Sequence, residues 1–109
     1  MAEYLLRPRA RGDLAEIWLY TESKWGEAQA DQYLANLEGC FRNLAEDPRS
    51  GTRCDEIREG YWRAGCGRHV VFFRRVPPPA SLSKRAWLPV VIERVLHERM
   101  LFELHLTDD

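Results

Sequence analysis

The chain has 109 residues, is 45% hydrophobic and carries a net charge of -1. That length suits one domain, 1–109, which buries roughly 60 to 70% of the surface its unfolded form exposes. No run approaches the ~18 consecutive apolar residues of a membrane span, and the N-terminus lacks a basic region followed by an apolar core and a cleavage site, so the expectation is a cytoplasmic protein with no membrane contact. Cys40, Cys54 and Cys66 are odd in number and irregularly spaced, which fits reduced thiols better than a disulfide framework.

Charge is unevenly spread. Residues 1–52 carry six basic and nine acidic side chains, residues 53–99 ten basic and five acidic, and residues 100–109 three acidic, giving balances of -3, +5 and -3. A basic second half behind an acidic first half implies that the second half meets an anionic partner.

In chain order, Glu3–Arg7 reads as a short strand stopped by Pro8, a residue suited to the first turn of a helix because its missing N–H would be unpaired there. Leu14, Ile17, Trp18, Thr21 and Trp25 then recur at helical spacing as one amphipathic stripe, and Gly26 supplies a left-handed stop. From Glu27 a second helix places Ala30, Tyr33, Leu34, Leu37, Phe41, Leu44 and Ala45 on one face and ends near Asp47-Pro48-Arg49-Ser50-Gly51. So short a joint predicts an antiparallel helical hairpin.

Residues 52–60 are turn-rich and lead into Tyr61–Arg75, a strand, a Gly-marked turn containing Gly65 and Gly67, and a second strand. Alternation puts Val70 and Phe72 on one face and Val71 and Phe73 on the other, so both faces are apolar. Val90–His97 repeats the pattern, with Ile92 and Leu96 set against Val91 and Val95. Between these strands Pro77-Pro78-Pro79, followed by Lys84 and Arg85, marks a long protruding loop over 76–89. Residues 98–106 suit one or two helical turns, and the last three residues fray. The expected fold is therefore α+β: β-α-α-β-β-β, a helical hairpin packed on one face of a small, twisted, mainly antiparallel sheet. No other segment is long and apolar enough to cover the second face, which calls for a partner.

The serines lack a nucleophile-elbow pattern. Cys54, Cys66, His69 and His97 contain no close pair of the zinc-site kind, and there is no Gly-rich phosphate loop, so neither metal nor cofactor is expected. What remains is a basic cluster of Arg58, Arg63, Arg68, Arg74, Arg94 and Arg99 with Tyr61 and His97. Arginine forks bind phosphate and a histidine moves protons near neutral pH, so the cluster could hold and cleave RNA through the 2′-hydroxyl; equally, it could dock acidic protein. Charge clusters more often pair with protein, and binding is the preferred reading.

Together, Asp13-Leu14, Ile17-Trp18, Tyr20-Thr21, Trp25-Gly26, Gln29-Ala30 and Tyr33, then Leu44-Ala45, Pro48 and Gly51, Ile57-Arg58 and Gly60-Tyr61, Gly67, His69-Val70 and Phe72, and Arg94–His97 with Arg99-Met100, resemble the RelE/ParE superfamily of toxins from type II toxin–antitoxin systems, most closely its ParE branch. The resemblance spans Tyr4 to about His105. It implies a bacterial toxin, of the kind that also stabilises plasmids, which poisons DNA gyrase and is neutralised in a hetero-oligomer by a ParD-like antitoxin laid across the sheet. The alternative it implies is a ribosome-dependent mRNA endonuclease of the RelE type, with Arg63 and Arg94 on phosphate and His97 as proton donor. Ala64 and Gly65 stand where larger or basic side chains are often found in the family, which argues against a complete RNase site and for a toxin that is not an enzyme. The residues expected to meet antitoxin or target are Arg58, Tyr61, Arg63, Val71, Phe73, Arg94, His97 and Arg99, with no sequence-specific nucleic-acid binding. Arg7 replaces the Ser often found before Pro8 in the family, removing a helix cap worth ~1 kcal/mol.

Overall fold

The computed structural model describes residues 4–47, 49–76 and 90–97. Its elements are β1 (Tyr4–Leu6), α1 (Pro8–Trp25), α2 (Glu27–Glu46), β2 (Thr52–Arg53), β3 (Trp62–Cys66), β4 (His69–Arg75) and β5 (Val90–His97). The five strands form one sheet in the order β1-β5-β4-β3-β2, with β1 parallel to β5 and every other pairing antiparallel. The α+β architecture and its mainly antiparallel sheet follow the expectation, with the two-residue β2 added at one edge. The Pro-rich stretch and the segment from residue 98 onward, including Arg99, lie outside the described residues.

Helix α1 begins at Pro8, and its N-cap, Arg7, makes no side-chain capping bond, as the missing Ser implies. Gly26, at φ 93°, separates the helices: its N–H donates to Glu22 O and its carbonyl accepts from Ala30 N. Trp18 Nε1 donates to Asp31 Oδ1 at 2.9 Å and ties the helices together. The buried stripe of α1 is Ala10, Asp13, Ile17 and Thr21, with Leu14 and Trp18 half-buried. Trp25, expected on that stripe, is instead 64% exposed at the helix end. Thr21 is tolerated inside because its hydroxyl donates to Ile17 O within the helix. In α2 the predicted face is the observed one, with Ala30, Leu37, Phe41, Leu44 and Ala45 buried.

Arg75 closes the far end of α2. Its guanidinium donates to Leu44 O in the last turn of α2, satisfying a carbonyl that a helix C-terminus leaves without a partner, and to Asp47 O and Ser50 O in the following turn, at 3.2, 3.1 and 2.8 Å. The same group lies over the rings of Trp62 and Phe73, and burial pulls its pKa below the usual arginine value. At the opposite end of the sheet, Gly67 and Arg68 link β3 to β4. Gly67 has φ 61°, and a Cβ there would come within 2.8 Å of the Tyr33 hydroxyl, so a side chain is excluded by backbone and by space. Gly65, read from sequence as part of this turn, lies within β3 instead.

The sheet departs from the sequence pattern in two ways. In β5, strict alternation fails: Phe72 pairs with Arg94 and Phe73 with Ile92, so Glu93 is an extra residue and the ladder slips at a bulge. As a result Ile92 and Val95 share the helix-side core, while Leu96 belongs to the opposite face. Nor is the second face bare. Cys54, Tyr61, Phe72 and Leu96 form a small core there with Ile57 and Val70 packed against it. The covering stretch, 54–61, is held by short-range bonds: Cys54 N to Tyr61 O, Ile57 N to Cys54 O and Tyr61 N to Arg58 O. A turn-rich segment with no helical or strand period covers part of a face when a few of its side chains are large and well placed, which length and periodicity do not register.

A covalent link also departs from the expected reduced thiols. Cys40 of α2 and Cys66 of β3 are joined in a disulfide across 26 residues of sequence, while Cys54 is a buried free thiol. Sequence spacing could not show this pair, because helix-to-sheet packing creates it. Among the described residues, no helix is long and apolar enough to cross a membrane.

Candidate functional site

The sheet sorts the predicted site residues by face. On β4, Val71 and Phe73 point into the helix-side core and are fully buried, so they offer nothing to a partner while the domain is folded. Their alternates Val70 and Phe72 face the other way, with Val70 half-buried. Assigning the apolar docking surface to Val71 and Phe73 therefore chose the wrong parity: alternation separates the two sets but does not say which one the helices take.

On the second face, Tyr61 is the anchor. It is 6% exposed, packs at 6.2 Å from the Phe72 ring, and carries the guanidinium of Arg58 at 5.9 Å and that of Arg74 at 5.4 Å from its ring centroid. A face-on cation is attracted by the negative face of the ring, so two arginines share one aromatic platform. Arg74 also pairs with Glu93 at 3.4 Å, and the exposed Arg7 reaches the same carboxylate at 3.8 Å. Glu93 is the bulge residue, so the slip in β5 delivers a carboxylate to this surface.

Arg63 stands beside this platform on β3, exposed and cross-strand from Phe72. It borders an open groove of about 450 Å³ lined by Gly51, Thr52, Arg63, Ala64, Gly65 and Val70. The groove exists because Gly51, Thr52, Ala64 and Gly65 are small and because β2 pairs with Arg63 and Trp62 alone, ending before Ala64. An added Cβ at Gly65 would meet no heavy atom within 4 Å. Asp55 fixes the end of the covering stretch, accepting two bonds from the Arg53 guanidinium and one from Gly60 N. The Arg53 bonds, then that of Gly60, hold its carboxyl below the usual carboxylate range.

Arg94 and His97 do not join this surface. Arg94 makes a two-pronged bond to Asp13 of α1, at 2.8 and 2.9 Å, and Asp13 also accepts from Val95 N at 2.9 Å. Both side chains are nearly buried, at 11 and 8% exposure. This pair anchors α1 to the bulged strand, so Arg94 is engaged in the fold rather than presented to phosphate. Arg63 and Arg94 both pair with Phe72 from opposite sides, which puts their backbones about 10 Å apart, yet Arg94 turns toward α1. His97 packs edge-on against His69 with ring centroids 5.3 Å apart. The Nδ1 of His69 in turn lies 2.6 Å from the Tyr33 hydroxyl of α2. Arg63, Arg94 and His97 thus do not assemble into one phosphate-holding, proton-donating cluster in this structure. Asp13, Tyr33, His69, Phe72 and Glu93 matter more to the site's architecture than sequence reasoning indicated. An acidic residue one position before the apolar stripe of α1 was the available signal for Asp13.

The arrangement is a helical hairpin on one side of a five-stranded sheet and an arginine-aromatic surface on the other. A solved chain from the chromosomal ParDE TA system of P. aeruginosa shares the fold at a TM-score of 0.68 and 15% identity, over 89% of this chain and 96% of that one. The family described as ParE toxin of type II toxin-antitoxin system, parDE, matches residues 4–102. Toxin ParE1 of Mycobacterium tuberculosis is 41% identical over 91% of this chain and 92% of its own length. Toxin ParE1 of Caulobacter vibrioides is 38% identical over 97% and 99%, and Toxin ParE of Escherichia coli 32% identical over 99% and 96%. The chain belongs to the ParE toxin family of type II toxin–antitoxin systems, and membership implies an antitoxin partner.

Proposed function

We propose that this toxin acts in the cytoplasm as a single domain, inhibits DNA gyrase by contact, and is neutralised by a ParD-like antitoxin that binds the sheet face opposite the helices. The observation that carries the reading is the surface of Arg58, Tyr61, Arg74 and Arg63 with the groove beside it. A large, nearly buried aromatic flanked by arginines, next to a shallow apolar depression, is the composition of a protein-binding hot spot rather than of a reaction centre. Its positive charge suits an acidic, apolar segment of antitoxin. Arg94, committed to Asp13, supports contact inhibition over RNA cleavage.

Purified toxin added to gyrase tests the target: loss of supercoiling is expected, and unimpaired supercoiling at saturating toxin removes gyrase from the proposal. In parallel, primer extension on mRNA after induction of the toxin should show intact transcripts. Codon-phased cuts that vanish in His97→Ala would establish the RelE-type alternative instead. For the antitoxin, Arg63→Glu should weaken complex formation with the protein encoded beside the toxin, and an unchanged affinity would move the docking surface elsewhere.

A further inference from the structure

The disulfide lies at a junction where redox chemistry has a structural consequence. Cys66 is the last residue of β3 and Cys40 sits in the C-terminal half of α2, with their Cα atoms 6.4 Å apart, inside the range that a bond requires. The same end of the hairpin has a second, non-covalent tie to α2: the Tyr33 hydroxyl accepts from Arg68 N at 3.1 Å and meets His69 Nδ1. Cys66 Sγ also approaches Asn36 O, at 3.9 Å. His69 is the cross-strand partner of Cys66, so an imidazole stands on the face where thiolate must form for exchange. The third cysteine is withheld: Cys54 is fully buried on the opposite face of the sheet, and burial pushes its thiol pKa up.

We propose that Cys40 and Cys66 form a reversible thiol–disulfide site whose state sets how firmly α2 holds the β3–β4 hairpin. Reduction proceeds by attack of a dithiol reductant on one sulfur, which breaks the Cys40–Cys66 bond and forms a mixed disulfide. The second thiol of the reductant then displaces the remaining cysteine. Two electrons and two protons pass to the protein, leaving two thiols, and the reductant departs as its own disulfide. Oxidised glutathione reverses the change and leaves as two molecules of reduced glutathione. Once reduced, the sulfurs move from bonding to van der Waals separation, and the Tyr33 contacts and the Cys66–Asn36 approach remain to tie the hairpin end to α2. Because β3 also supplies Arg63, Ala64 and Gly65 to the groove, thiol state is coupled to the wall of the docking surface.

The test uses the full chain equilibrated in glutathione buffers of varied ratio, quenched with acid, unfolded, alkylated and weighed intact. Oxidising buffer should give one adduct, mapped to Cys54, and excess dithiol three, with full return on reoxidation. Three adducts at every ratio, a bond that survives excess dithiol, or a bond that includes Cys54 would each overturn the proposal. Hydrogen exchange supplies the second readout: amides of Arg68, His69 and β3 should exchange roughly tenfold faster in the reduced protein, with those of α1 unchanged. Equal exchange in both states, or uniform acceleration throughout, would overturn the coupling. Cys40→Ser should show the faster pattern in either buffer; if that variant does not fold, the reduced natural chain carries the same comparison.

Discussion

The two faces of the sheet are built to different standards. The helix-side face is closed by eighteen-residue α1 and twenty-residue α2 over a core in which Leu37, Phe41, Val71, Phe73, Val90 and Ile92 are fully buried. Among the described residues the opposite face has four buried ones, capped by a stretch with no regular secondary structure and rimmed by arginines. A face closed by long elements pays back its ordering through many apolar contacts, whereas one closed by a short stretch retains exposed edges on which a partner can add burial. Stability therefore resides mainly on the helix side of the sheet, and the proposed recognition surface lies on the other.

The most disruptive change should be Phe73→Ala. It removes a fully buried ring from the helix-side core and is expected to cost about 3–5 kcal/mol, read as a lower midpoint in urea at unchanged slope. Phe72→Ala, one residue away on the other face, should cost less; equal losses would erase the distinction between the faces. Next comes the disulfide. With its ends 26 positions apart in sequence, the chain-entropy argument gives roughly 3.5 kcal/mol, measurable as the difference between denaturation curves with and without a dithiol reductant.

Asp13→Ala should cost about 3 kcal/mol, because it leaves the guanidinium of Arg94 and the N–H of Val95 without their carboxylate partner in a nearly buried position. Replacing both members with apolar residues of similar volume should recover most of that loss. A single-variant cost no larger than that of an exposed ion pair would show that α1 is not anchored through this contact. Arg63→Glu, by contrast, should change stability by less than about 0.5 kcal/mol, since the residue is exposed, while lowering affinity for the partner. Parallel losses of both would move Arg63 from the recognition side of the comparison to the folding side.

The smallest expected effect is acid loosening of the covering stretch. The pKa of Asp55 is lowered in the folded state by Arg53 and Gly60, so its contribution is complete above the ordinary carboxylate pKa and is lost as pH falls through the depressed folded value. Exchange of the Gly60 amide should accelerate in that acid window beyond the intrinsic pH dependence, and Asp55→Asn should abolish the excess.

Much of the fold was legible because it rests on local periodicity. Apolar spacing placed α2's buried face residue by residue, Pro8 and Gly26 bounded α1, and alternation separated Val70 and Phe72 from Val71 and Phe73. The site was less legible. Strict alternation could not anticipate the Glu93 bulge, which sends Ile92 and Leu96 to opposite faces, and charge clustering could not separate Arg94, held by Asp13, from Arg63, held by no ion pair among the described residues.

The chain by itself determined its element order apart from the two-residue β2, its acidic first half and basic second, and, through five ordered groups of residues, its toxin family. Those properties are linear: they depend on neighbours three or four positions apart in a helix and two apart in a strand. Only the tertiary structure decided which sheet face the helices occupy, which arginines are spent inside the fold, and that Cys40 meets Cys66. Each of these depends on groups brought together from 26 to 82 positions apart, where register, bulge and helix docking set the distance and no local pattern records it.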